Sequence, residues 1–386
     1  MSFDPEAATA AYIDSLGTDA LAKAAAYTVG SHWLMLWSLL LSAIVTWLIV
    51  RSGVLDRIAA TLGRRGPSLR AFGIGVAFFL VSSLLTLPWA LYEEWWRERF
   101  YGRTSQPLGD FLGQEFIAIL ISSLLGALLF VGVYALIRRA GRRWWIWSGG
   151  LTAVAFAAFL LAAPVVIEPI FNDYKPVPEG EVRDALVGMA GQAGVPTDRI
   201  FVYDGSRQSN NFTANVSGVG GSARIAISDV AFKGASLDEV KAVTGHEIGH
   251  YVLKHTLHLV FLLAALATLF FLLAHLLFPR FARAFGSDAS IGDPVGLPVL
   301  LFMASLFGLL AQPVVNTLSR MEESQSDRYS LETVNLPDAL ASALVKTAEY
   351  RNPRPHPLQE LIFYTHPSVE RRVRAAMEWK AAHPPG

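Results

Sequence analysis

GHEIGHYVLKH, residues 245–255, is the stretch from which the rest of the chain is read. It contains His246-Glu247-x-x-His250. On a helix, residues four apart share a face, so two imidazoles at that spacing can reach one metal ion with Glu247 beside it. Zinc chemistry uses that set: neutral nitrogen ligands, an open coordination position for water, and a carboxylate that takes the water's proton. The competing reading is a chance match on a helix with solvated histidines, in a chain that has 9 His.

Composition places the motif near a bilayer. The chain of 386 residues is 53% hydrophobic and 17% charged, with mean hydropathy +0.38. Soluble globular domains are nearer about 25% charged. A net charge of zero gives no reason to expect a nucleic-acid partner. Cysteine is absent, which excludes disulfides, thiolate metal sites and a cysteine nucleophile, so any zinc must be held by His and carboxylate. Asp4, Glu6, Asp14 and Asp19 precede the first apolar run, so a cleavable signal peptide is not expected.

Residues 5–27, rich in Ala with scattered charge, predict a short surface helix packed against the membrane domain. Four apolar runs follow, at 33–50, 71–91, 116–137 and about 145–167, each approaching the ~20 residues that cross a bilayer. Trp33, Trp37, Trp47, Trp95, Trp96, Trp144, Trp145 and Trp147 sit at or near their ends, as interfacial anchors do. From about Asn172 the composition changes. Lys175-Pro176-Val177-Pro178 reads as a linker and residues 181–193 as an amphipathic helix. Residues 199–203, 212–217 and 223–228 read as strands, the last two forming a hairpin that turns at Gly218, Gly220 and Gly221. GVGG is not a nucleotide-binding loop, because a strand rather than a helix follows it.

Ser236 and Glu239 form a capping box, so the metal-motif helix begins there and carries both histidines in its third and fourth turns. Apolar residues resume at 257–278. About seven residues at 1.5 Å each put the metal roughly 10 Å from that span. A sixth span, 295–315, returns the chain.

Two protein nitrogens and a general base leave one ligand to find, typically His or a carboxylate. After the sixth span comes SRMEESQSDRYSLE, residues 319–332, in which Glu322, Glu323 and Asp327 cluster on an expected helix at the same membrane face as His250. An isolated acidic cluster is more often a solvated helix face. Its place opposite the motif favours ligation, and Glu323 and Asp327, four apart, share a face. One can bind metal while the other hydrogen-bonds a ligating imidazole. Further on, Tyr364-Thr365-His366-Pro367 precedes Arg371, Arg372 and Arg374. That tail could be only a surface helix starting at Pro367, or it could supply a donor to a developing oxyanion.

HEIGH at 246–250, S-R-x-x-E-x-Q-S-D at 319–327 and YTHP…R at 364–372, with two spans between the first and second, resemble the type I CAAX prenyl endopeptidases. These are integral-membrane zinc metallopeptidases of the gluzincin type, with bacterial heat-shock membrane protease relatives. The resemblance continues through IEPIFNDYKPVPEG (167–180), VYDGSRQSNNFTANVSG (202–218) and RIAISD (224–229), and covers about residues 144–377. It implies His246, His250 and Glu323 as zinc ligands and Glu247 as general base. Asp327 matches the family's aspartate behind a ligand, and His366 and Arg372 its pair near the substrate carbonyl. Thr213, Ala214, Asn215 and Val216 match the substrate-side strand. Three positions depart from the family pattern: Ser326 stands for Ala, Glu370 comes one position early, and Thr213-Ala214 replaces Asn-Ala. The last bears on substrate preference, not on zinc.

The expected architecture is therefore mainly α, a polytopic membrane protein with about six transmembrane helices and a zincin-like α+β metalloprotease domain carrying a small sheet. Its segments are the surface helix (1–30), a four-helix membrane domain (31–171), the first zincin-like part (172–256), two membrane helices (257–316) and the C-terminal zincin-like part (317–386). The expected function is peptide-bond hydrolysis by zinc-activated water, with one Zn2+ per chain and Glu247 as base. Partners are the bilayer and a peptide or membrane-protein substrate, lipidated or not, which would lie extended beside 212–217. A quality-control protease for damaged membrane proteins is the alternative within enzymes. A transporter or channel with structural zinc is the alternative outside them, disfavoured because the four N-terminal runs carry almost no ionisable residues. With six spans, loop 51–70 (five Arg, one Asp) and loop 138–143 (four Arg) share one face and the protease segments the other. The positive-inside rule puts the active site outside the cytoplasm; the resemblance puts it on the cytoplasmic side.

Overall fold

The computed structural model describes residues 3–63, 65–218 and 222–384. Six of its helices are long and apolar enough to cross a bilayer: Thr18–Ser52, Pro67–Phe100, Leu108–Arg139, Gly141–Phe171, His255–Phe285 and Pro294–Thr333. They are numbered here as spans one to six. Span two packs on three, three on four, four on five, and six on one and five. One apolar core runs through them, with Ile74, Phe78, Val133, Tyr134, Phe278, Leu297 and Leu300 at its centre. Large apolar side chains such as Leu84, Phe116, Val154, Phe261 and Leu310 remain outside, the inside-out pattern that lipid rewards.

The helices outrun the apolar stretches that announce them. Span two continues through Leu91–Trp96 to Phe100, and span six continues to Thr333, far beyond Val315. Their polar ends become the foundation of the hydrophilic part. At the opposite end of the bundle the connecting loops gather, Arg70 pairing with Asp293 at 3.6 Å.

Two expectations need correction here. The surface helix is Pro5–Asp14, and span one starts already at Thr18. The short helix docks not on the membrane domain but on the C-terminal helices Pro337–Lys346 and Val369–Ala382, where Ile13 joins Leu340, Leu344, Val373 and Met377 in a second core. Arg354 clamps it through Asp14 at 2.9 Å. The linker at Lys175–Pro176 is instead part of a strand. It forms β1 (Tyr174–Pro176), and as an edge strand it tolerates a proline that lacks an N–H.

The remaining strands are β2 (Ile200–Tyr203), β3 (Ala214–Ser217) and β4 (Arg224–Ser228), in the order β1-β2-β4-β3. β2 and β4 run parallel, and β3 pairs antiparallel with β4, Asn215 opposite Ala226. The hairpin expected there is present; Gly220 and Gly221 of its turn lie outside the described residues. β4, buried throughout, packs with Leu186, Ala190, Val240 and Ile248 in a third core that joins the sheet to the amphipathic helix Glu181–Ala193 and to the metal-motif helix. β3 is left as the free edge, beside the motif helix.

Candidate metal centre

The motif helix is Leu237–Val252, and its start is fixed twice over. Ser236 Oγ accepts from Glu239 N at 3.2 Å, and Glu239 Oε2 accepts from Ser236 N at 2.7 Å. Such a cap contributes about 1 kcal/mol. Glu239 also accepts from Lys346 Nζ and Ser342 Oγ, each at 2.7 Å, which ties the cap to Pro337–Lys346. Burial pushes the Glu239 carboxyl up, but these donors outweigh it and hold it below the usual carboxylate range.

Two glycines bring this helix against the end of span six. A Cβ on Gly249 would lie 3.1 Å from Ser326 Cα, and one on Gly245 2.9 Å from Ser330 Oγ. Ser330 Oγ donates to Ala242 O at 2.6 Å, sealing the contact. At that separation Glu323 and Asp327 reach the two histidines from the facing helix. Nε2 of His246 and Nε2 of His250 stand 3.2 Å apart, with Glu323 Oε2 3.3 Å from the first and Oε1 3.4 Å from the second. One donor atom from each of His246, His250 and Glu323 falls within 4.8 Å of the others.

A second layer holds these groups. Asp327 Oδ1 lies 2.9 Å from His246 Nδ1, and Arg372 grips Asp327 with Nε and Nη2, each at 2.7 Å. Burial alone would lower the His246 pKa; the hydrogen bond to Asp327 and the neighbouring Glu323 carboxylate overcome it and raise it to about 10. Burial likewise opposes the charge on Arg372, and the Asp327 carboxylate restores it and raises its pKa further. The guanidinium is thus committed to Asp327, with Nη2 3.5 Å from Glu323 Oε2. Glu322 points elsewhere, to His258 at 3.1 Å.

His366 stands in the loop before Val369–Ala382, its Nε2 3.2 Å from Glu323 Oε1. Burial depresses its pKa to about 3, so the ring is neutral at pH 7. Its Nδ1 is 2.8 Å from Thr365 Oγ1. A hydroxyl donating to Nδ1 leaves the ring proton on Nε2, aimed into the site.

A cavity of about 420 Å³ opens on this cluster, lined by Glu247, His246, Glu323, His366, Thr213 and Ala214 among others. Burial raises the Glu247 carboxyl above its ordinary range, partly offset by the neighbouring histidines. Of the strand residues expected at the substrate, Thr213 and Ala214 line the cavity; Asn215 and Val216 lie further along, opposite Ala226 and Ile225. The strand is stapled to the membrane helices by the loop before it. Asp110 pairs with Arg207 at 2.5 Å, Thr104 Oγ1 donates to Gln208 O at 2.7 Å, and Asn210 N donates to Arg103 O at 2.8 Å. Arg103 and Arg351 also line the cavity and carry no sequence signal of their own.

The motif helix and the apolar span after it are separate helices. The first ends at Val252, Lys254 takes a left-handed backbone (φ 60°), and span five starts afresh at His255.

The donor set fits a hard-to-borderline divalent metal. Glu323 Oε2 is buried without a hydrogen-bond donor, and the open cavity leaves a coordination position for water or substrate. Comparison with known proteins agrees. A model of peptidase family M48 matches residues 176–380, and one of the CAAX prenyl protease N-terminal domain, described as five membrane helices, matches residues 5–173. Among the described residues that N-terminal region holds four spans. The chain is 28% identical over 368 residues to "Uncharacterized metalloprotease YhfN" of Bacillus subtilis (strain 168), covering 92% of this chain and 85% of that one. It is 27% identical over 349 residues to "CAAX prenyl protease 1 homolog" of Oryza sativa subsp. japonica, covering 89% and 81%. The fold matches that of "Crystal Structure of S. mikatae Ste24p" with a TM-score of 0.72 at 23% identity, over 84% of this chain and 80% of that one. Six helices long and apolar enough to cross a membrane among the described residues, a His-His-Glu cluster at their end and a family model spanning the hydrophilic part lead to one assignment: the chain belongs to peptidase family M48 and is a multi-pass membrane metalloprotease.

Proposed function

We propose that the metal is zinc, one ion per chain held by His246, His250 and Glu323, and that the enzyme is an endopeptidase with Glu247 as its general base. The single observation that carries this is the convergence of two imidazole nitrogens and the donorless Glu323 Oε2 on one point at the wall of an open cavity. Zinc in such a three-ligand site supplies an acidified water and a polarised carbonyl.

The chain's own groups do the rest. Glu247, one position after a ligand and facing the cavity, accepts the proton of the attacking water; burial keeps its carboxyl nearer to neutrality than an exposed glutamate, which suits that task. The same carboxyl then returns a proton to the leaving amine. His366, neutral and with Nε2–H directed inward, donates to the oxygen that gains charge. Arg372 holds Asp327, and Asp327 holds the His246 ring so that its Nε2 lone pair points at the metal position. The substrate lies extended along the free edge of β3, paired through main-chain hydrogen bonds that read little side-chain sequence.

The site stands where the motif helix meets spans five and six, so peptides tethered to the membrane or emerging from it are the substrates favoured. Curated relatives are named as CAAX prenyl proteases, and lipidated C-terminal peptides are the first substrates to try; damaged membrane proteins are the second. Purified protein should contain zinc and should cleave casein or a farnesylated peptide until a chelator removes the metal. Chelator-insensitive cleavage would sink the reading.

A further inference from the structure

We infer that His255, the first residue of span five, is a positioning residue that fixes the tautomer and orientation of the ligand His250. The inference deepens the metallopeptidase reading and rests on it. The two ligating histidines are supported differently. His246 has a carboxylate behind it, Asp327 at 2.9 Å from Nδ1. His250 has a second imidazole: its Nδ1 lies 2.9 Å from His255 Nδ1. His255 is only 3% exposed, and its other nitrogen, Nε2, lies 3.0 Å from Gln325 Oε1.

Hydrogen-bond arithmetic fixes the direction of this chain. Nε2 of His250 faces His246 and Glu323, so as a ligand it must present a lone pair, and its proton must sit on Nδ1. Two Nδ1 atoms at 2.9 Å cannot both carry protons. His250 therefore donates, and His255 accepts with a bare Nδ1. The His255 proton then belongs on Nε2, where Gln325 Oε1 is placed to accept it. Ser326 Oγ, 3.4 Å from His255 Nδ1, lies on the same side. Every polar atom in the line from His250 through His255 to Gln325 has one consistent role.

The backbone shows how this is built. Were the motif helix to continue, residue 255 would follow His250 by five positions and leave its face. The left-handed turn at Lys254 breaks the helix and swings His255 back under His250. Gln325 sits two residues after Glu323 on span six. Each membrane helix that adjoins the site thus lends one side chain to the support of His250.

The test compares two replacements. Asn puts Oδ1 where the imidazole has Nδ1, so His255→Asn keeps the acceptor for His250. Gln carries its amide one atom further out, where the imidazole has Nε2, so His255→Gln keeps bulk and the Gln325 contact but not the acceptor. Zinc affinity of the full-length protein in detergent, measured by chelator competition, should fall about 10–100-fold in His255→Gln, the scale of losing a group behind a metal ligand, and much less in His255→Asn. Packing alone predicts the reverse order, since Gln is closer to His in volume. Wild-type affinity in His255→Gln, or equal losses in both, would overturn the inference. Should both variants misfold, ¹⁵N spectra of histidine-labelled wild-type protein loaded with zinc decide it: a His255 proton on Nε2 supports the assignment and one on Nδ1 overturns it. Failure of the wild type to bind zinc at all would instead overturn the metallopeptidase reading, and this inference with it.

Discussion

Nε2 of His246 and Oε2 of Glu323 face each other across 3.3 Å with no hydrogen bond between them. With the His246 proton on Nδ1, toward Asp327, two lone pairs confront each other in a buried site. Such a pair is costly unless a positive charge lies between. In the metal-free protein that charge is a second proton on His246, which is why its pKa is raised to about 10. In the loaded protein it is the metal.

Proton release follows. Below about pH 10 metal-free His246 is cationic, so binding must expel that proton, and affinity should rise with pH through the neutral range. Titration calorimetry of zinc binding at pH 7.5 in buffers of different ionisation heat should report release of about one proton from this group. No release would mean that His246 is already neutral and that the charge argument is wrong.

Asp327 touches His246 Nδ1 at 2.9 Å, and the proposed mechanism predicts that it acts through that ring rather than on substrate. Asp327→Asn should weaken zinc binding by about 10–100-fold. At saturating zinc most of the lost activity should return. A variant with normal zinc affinity but permanently lost turnover would place Asp327 at the substrate instead.

The close approach of the motif helix to span six depends on Gly249, whose added Cβ would meet the backbone of Ser326 at 3.1 Å. Gly249→Val should cost about 1–3 kcal/mol through overpacking, and should loosen zinc binding because Glu323 moves with the displaced helix. Thermal denaturation with and without zinc measures both effects. Unchanged stability would show that the helices are not held at this distance.

The His246-His250-Glu323 cluster was legible because its spacing is distinctive: i, i+4 for the imidazoles, and an acidic segment at the same membrane face. His366 and Arg372 were legible only through family resemblance, since a His-Pro pair before a basic helix signals little by itself. The support from His255 was not legible, although His255 ends the quoted motif, because it depends on the left-handed Lys254, which no residue preference announces. β1 was hidden by Pro176, which reads as linker but stands at a sheet edge. The spans were found and their lengths underestimated, because apolarity stops at the bilayer surface while hydrogen bonding carries a helix onward.

Membrane sidedness is open to a direct experiment because the natural chain has no cysteine. Ser68 lies in the Arg-rich end of the bundle and Ala382 at the C-terminal end of the helix Val369–Ala382; both are exposed. Single cysteines at these positions should label from opposite sides of sealed vesicles. Labelling from the same side would contradict the six-span arrangement. The side on which Ser68→Cys reacts also decides between the charge rule and the family resemblance.

The central claim is that Glu247 moves the proton while its neighbours hold the metal, and Glu247→Gln tests it most directly. Zinc content and cleavage of one peptide substrate should be measured on the same preparation. The account predicts a wild-type zinc content and a rate reduced by about 10²–10⁴-fold, the range for loss of a general base. Zinc retained with full cleavage would contradict it.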